Sequence, residues 1–251
     1  MTRATRRSPA ARLVPLILAC LLAGCGSGEP TDTGATSTAT AAAGGGPRLI
    51  AVLGDSITAG SPLWDPDPGI RAQIGPALDE RSQFEYWATQ ADPSVEFRNC
   101  GVFGERTDQI ALRLDDCASG ADALIIQGGI NDIAQGRGAA FAAANIDSMV
   151  HRGVELGVPV AVTDVLPWNN GHPQADAPIA DLNRAIAKIA GAQNVEALPF
   201  HDTLEDPKRA GTMRADLTID GDHPSIAGYR LLATNALADF VGGVSARDAS
   251  P

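Results

Sequence analysis

One serine, one histidine and one asparagine, drawn from distant stretches of a 251-residue chain, are of the types that together carry acyl transfer. A serine hydroxyl attacks only when a neighbouring base takes its proton. Ser56 follows Gly54-Asp55, and His223 suits the role of base, because an imidazole with an ordinary pKa of about 6.5 is mostly neutral at pH 7. Asp220, on the same stretch, can accept the other ring N–H and fix the tautomer. A carbonyl under attack becomes an oxyanion. The backbone N–H groups of Ser56 and Gly104 and the amide of Asn131 offer three donors for it. Each residue also has a plainer reading. Ser56 could cap a helix, Asn131 could close an Asx turn, Gly104 could be a turn glycine, and Asp55 could hold the turn through backbone bonds. Asp222 competes with Asp220 as the acid, and Ser225 reads as an N-cap.

These residues can act only if the chain brings them together, and the hydrophobic pattern says how. Short apolar runs at Arg48–Leu53, Val95–Asn99, Ala121–Gln127, Val160–Val165 and Asn194–Leu198 read as buried parallel strands. Helical stretches are predicted over Ile70–Arg81, Thr107–Asp116, Ala139–Leu156, Ala177–Ala190 and Ser225–Val241. Alternating strands and helices make right-handed βαβ units, hence a three-layer α/β/α sandwich around a five-stranded parallel sheet. Ligands of such sheets sit at the carboxyl ends of the strands. The first strand delivers Ser56 there, the second Gly104, the third Asn131-Asp132, and the loop before the last helix delivers Asp220, Asp222 and His223.

Gly54-Asp55-Ser56-Ile57, Asn99-x-Gly-x-x-Gly104, Gly129-x-Asn131-Asp132 and Asp220-x-x-His223-Pro224 follow one another in this order. The set resembles the blocks of the SGNH hydrolase superfamily, the GDSL esterases, and spans nearly the whole predicted domain. Ile57 stands where the family often has Leu, a conservative change, and Gly129-Ile130-Asn131 is a common variant of the third block. The resemblance implies a flavodoxin-like sheet and no cofactor. It gives Ser56, Gly104, Asn131 and His223 the four roles that name the superfamily, with Asp220 completing a triad.

Composition narrows the partners. Nineteen Lys and Arg stand against 30 Asp and Glu, a net charge of −11. Arg3, Arg6, Arg7 and Arg12 all precede Cys25, so the remainder stands near −15 and would repel a nucleic acid. Leu13–Ala23 is an apolar run of 11 residues behind a basic start, too short to span a bilayer and apt for a secretory signal. Leu22-Ala23-Gly24-Cys25 resembles a bacterial lipobox, whose Cys is acylated; a plain signal peptide is the alternative. The reading is a leader over 1–24, a lipidated Cys25 with a Gly-rich tether over 25–46, the hydrolase domain over 47–245 and a tail over 246–251. That places a monomeric domain outside the cytoplasmic membrane.

Cys100 and Cys117 remain. An oxidising compartment favours a bridge between them. One straight helix up to Cys117 would instead carry it ~13 Å away, beyond the ~7 Å a disulfide tolerates, so the pairing stays open. Trp64 and Trp168, on loops bordering the expected site, suit a sugar face, or are anchors buried against the sheet. His172 and His201 lie in loops after strand ends; His151 reads as solvated. There is no G-x-S-x-G, P-loop or H-E-x-x-H, and a metal is not expected. The expectation is a serine ester hydrolase that cleaves short-acyl esters of small molecules or glycans, acetyl esters of carbohydrates among them, through an acyl-enzyme, with lipase, lysophospholipase or thioesterase as alternatives. A tethered ligand-binding lipoprotein is the non-enzyme alternative.

Overall fold

The computed structural model describes residues 46–168 and 170–248. The expected leader, Cys25 and most of the tether lie outside those residues, as does the end of the tail. Five strands, β1 (Arg48–Gly54), β2 (Val95–Gly101), β3 (Ala123–Ile126), β4 (Val160–Thr163) and β5 (Glu196–Leu198), form a parallel sheet in the order β2-β1-β3-β4-β5. The helices are α1 (Ser56–Ala59), α2 (Pro68–Ile74), α3 (Phe84–Ala91), α4 (Thr107–Ala111), α5 (Leu114–Ala118), α6 (Ile130–Ala134), α7 (Ala139–Glu155), α8 (Asp176–Gln193), α9 (Phe200–Leu204), α10 (Ile226–Leu231) and α11 (Ala238–Ser245). A short antiparallel hairpin, β6 (Glu205–Asp206) and β7 (Arg209–Met213), follows α9.

Successive strand residues point to opposite faces, so each strand feeds two cores. Ile50, Val52, Ile125 and Leu198 pack with Phe84, Tyr229 and Phe240 from α3, α10 and α11. Ala51, Leu53, Leu124, Ile126 and Val162 pack with Ile110, Leu114, Ile146 and Leu182 from α4, α5, α7 and α8. Both faces of the sheet are therefore covered, as a parallel sheet requires, and only its ends are free to hold a site.

The helix predicted over 70–81 is shorter, because Gly75 takes φ +61° and Pro76 follows; a 3-10 turn ends at Ala77. The helix predicted over 107–116 is broken between α4 and α5. With the loop before α4 carrying the chain past the end of β2, the return along two short helices brings Cys117 to a Cα separation of 6.1 Å from Cys100, and the two form a disulfide. The straight-helix estimate against that bridge fails for this reason. The last predicted helix contains a π-helical turn over Leu232–Ala236.

Candidate active site

The four sequence blocks meet at the carboxyl end of the sheet. The strand β1 ends at Gly54, and Asp55 caps α1, its Oδ1 accepting the Ile57 N–H at 2.9 Å. The cap therefore belongs to Asp55 rather than Ser56. Ser56 is the first residue of the helix, and its hydroxyl lies 3.1 Å from His223 Nε2. His223 Nδ1 is 2.8 Å from Asp220 Oδ2. The other oxygen of Asp220 accepts the backbone N–H groups of His223 and Asp222 at 2.7 and 2.9 Å. Partial burial pushes the Asp220 carboxyl up, but these hydrogen bonds outweigh it and hold it below the ordinary carboxylate range. An ionised Asp220 on Nδ1 leaves Nε2 free to take the proton of Ser56.

The turn carrying Ser56 is built from buried groups. Gln127, at the end of β3, accepts the Asp55 N–H at 3.1 Å and the Thr58 hydroxyl at 2.9 Å. Tyr229 donates its hydroxyl to the Ile57 carbonyl at 3.0 Å. Gly101 closes β2 directly against α1: a Cβ there would collide with the Ala59 backbone. Asp55 is fully buried, and burial raises its carboxyl to about 6.

Gly104 adopts φ +78°, a left-handed turn. Its carbonyl accepts the Gln135 amide at 3.0 Å. Asn131, opening α6, donates to the Glu105 carbonyl at 3.0 Å and approaches Asp55 Oδ2 at 3.4 Å. The backbone N–H of Ser56 is one of the unpaired donors of the first helical turn. The segments carrying Ser56, Gly104 and Asn131 are joined here, through the Asn131 bonds to Glu105 and Asp55.

The other nominated residues have partners of their own. Trp168 donates its indole N–H to Asp222 at 2.7 Å and stacks on His172 at 4.0 Å, while His172 Nε2 lies 3.3 Å from the same carboxylate. Asp222, the rival acid, is engaged there and not with His223. Trp64 lies under the guanidinium of Arg71 from α2, which is 4.8 Å from the indole ring centroid. Ser225 caps α10 and His151 is exposed beside Glu155, as expected. His201 donates its backbone N–H to Asp164 at 2.7 Å. Among the described residues, His201, Asp202 and Glu205 could bring three metal-ligand atoms within 4.8 Å of one another, apart from the serine and its partners. Sequence reasoning missed Gln127, whose signal was a polar side chain closing an apolar strand. It also missed Phe103, whose exposed ring lies 6.2 Å from the His223 ring.

A profile of the GDSL-like lipase/acylhydrolase family matches residues 52–231. The chain belongs to that family. Solved structures share its fold. A lipase/acylhydrolase from Enterococcus faecalis is 21% identical over 78% of this chain and 96% of its own, with a TM-score of 0.62. A catalytic mutant of an acetylxylan esterase from Geobacillus stearothermophilus is 20% identical over 79% and 95%, also at 0.62. A member of the lipolytic G-D-S-L family from Veillonella parvula is 20% identical over 77% and 98%, again at 0.62. No curated protein sequence matches. Family membership supports a hydrolase with the SGNH α/β fold.

Proposed function

We propose that this hydrolase cleaves carboxylic esters through an acyl-enzyme on Ser56. His223 takes the hydroxyl proton as Ser56 Oγ bonds to the ester carbon. The oxyanion is received by the N–H groups of Ser56 and Gly104 and by the Asn131 amide. His223 then passes the proton to the leaving alcohol as the ester C–O bond breaks. A water, deprotonated by the same imidazole, releases the acid and restores the hydroxyl. Asp220 keeps the imidazole oriented and stabilises its charged form. The observation that carries this reading is the 3.1 Å approach of His223 Nε2 to Ser56 Oγ with Asp220 at 2.8 Å on the opposite nitrogen.

The proposed substrates are short-acyl esters, acetyl esters of carbohydrates among them. The likeness of fold to an acetylxylan esterase favours that choice. The proposed location is outside the cytoplasmic membrane, tethered through a lipid on Cys25, on the strength of the Leu22–Cys25 motif. Fluorophosphonate labelling tests the nucleophile: the wild type is expected to be labelled and Ser56→Ala to remain unlabelled. Labelling of both proteins, or of neither, would remove the serine mechanism. Absence of label on both proteins, together with tight ester binding, would favour a tethered binding protein instead.

A further inference from the structure

Phe103 stands at the tip of the loop between β2 and α4, one residue before Gly104. Its side chain belongs to neither core, and the residue is 64% exposed. Single exposed hydrophobes are ordinary; the place of this one is not. Its ring lies nearly parallel to the His223 imidazole, at 24° and a centroid separation of 6.2 Å. The loop that carries it is pinned at both ends. Val102 donates its N–H to the Gly54 carbonyl at 3.1 Å, and the Gly104 carbonyl accepts the Gln135 amide at 3.0 Å. Glu105, next in the loop, is gripped by Arg113 at 2.6 Å. A fixed backbone therefore holds an apolar ring beside the imidazole.

Which part of the ester meets that ring follows from the proton path of the proposed reaction, on which this inference rests. The carbonyl oxygen turns toward Gly104 and Asn131. The leaving oxygen must come within hydrogen-bond reach of His223 Nε2 to receive its proton. The alcohol substituent therefore leaves the reacting carbon on the histidine side, where Phe103 is. The other aromatic pair near the histidine loop is already engaged, Trp168 with Asp222 and with the face of His172. We propose that Phe103 is the platform for the alcohol half of the substrate and selects alcohols built on a ring with a flat, CH-lined face. A sugar acetate and an aryl or cycloalkyl acetate share that chemistry.

The test holds the acyl group at acetyl and varies the alcohol: ethyl, cyclohexyl and phenyl acetate, and an acetylated xylo-oligosaccharide. A second series holds p-nitrophenol and lengthens the acyl chain from acetate to hexanoate. In Phe103→Ala, the ratio of kcat/KM on ring alcohols to that on ethyl acetate is expected to fall roughly tenfold, the order set by uncovering one aromatic face. The fall should appear mainly in KM, and Phe103→Trp should restore the ratio. The sugar and cyclohexyl arms show which ring source gains more. An equal loss on every ester would overturn the proposal, because the ring would then only shield His223. A loss that grows with acyl length would overturn it too, by moving Phe103 to the acyl side. No turnover of any ester by the wild type would remove the esterase reading itself. Turnover without selective loss would remove the platform alone.

Discussion

The two halves of the site are held in different ways. Ser56 rests on a buried foundation: Asp55, Thr58 and Gln127 are enclosed, Tyr229 braces α1 from below, and Gly101 lets β2 touch the helix backbone. His223 comes from a surface loop. That loop is closed by local bonds, Thr218 Oγ1 to the His223 carbonyl at 2.8 Å and to the Gly221 N–H at 2.8 Å, and flanked by the clamp of Trp168, His172 and Asp222. The contrast is one of tolerance. A buried constellation resists change and fails by unfolding, whereas a loop shifts and fails by misplacing a proton acceptor.

Substitutions can sharpen that contrast, beginning where both halves must fail alike. Ser56→Ala and His223→Ala are each expected to lower kcat by about 10⁴-fold or more, with melting temperatures close to wild type. Steady-state kinetics beside thermal melts would show it. Asn131→Ala removes the proposed side-chain oxyanion donor and should lower kcat about 10²–10³-fold. Little loss there would mean the carbonyl oxygen points elsewhere.

The foundation is next. Gly101→Ala forces a Cβ into the Ala59 backbone and is expected to cost about 3 kcal/mol, near 10 °C in melting temperature. A neutral result would show that α1 yields more than its burial implies. In α3, Glu85 is buried with both oxygens unpartnered, and burial raises its carboxyl to about 8. The folded protein therefore keeps a proton that the unfolded chain loses above its ordinary value of 4.5. Stability should fall as pH rises from about 4.5 to 8 and stay low beyond. Glu85→Gln is expected to flatten that slope, with the gain in melting temperature larger at pH 9 than at pH 5. A gain independent of pH would contradict the burial of an ionisable group.

The smallest effect belongs to the histidine loop. Trp168→Phe removes the indole N–H bond to Asp222, and kcat should fall about three- to tenfold with stability within about 1 kcal/mol. A large drop in stability would place the clamp with the foundation rather than the loop.

The same contrast explains what could be read before any coordinates. The strands were legible because runs such as Leu49–Leu53 and Leu124–Ile126 must be apolar on both faces. Ser56, Asp220 and His223 were legible because nucleophile, orienting acid and base are residue types that one chemistry needs, and they lie within hydrogen-bond distance of one another; Asn131 was picked out by the resemblance of the four blocks. The Cys100–Cys117 bridge was not, since it depends on a break between α4 and α5 that no Gly or Pro announces. The helix α3 was hidden by Glu85, a charge type that rarely lies buried. Trp64 and Trp168 were visible as aromatics, but their partners, Arg71 and Asp222, come from packing rather than pattern.

The most direct measurement is mass spectrometry of the enzyme quenched during turnover of p-nitrophenyl acetate. The serine mechanism requires one acetyl group on the peptide that carries Ser56, absent from Ser56→Ala. An acetyl group on another residue, or steady turnover with Ser56 never modified, would contradict it.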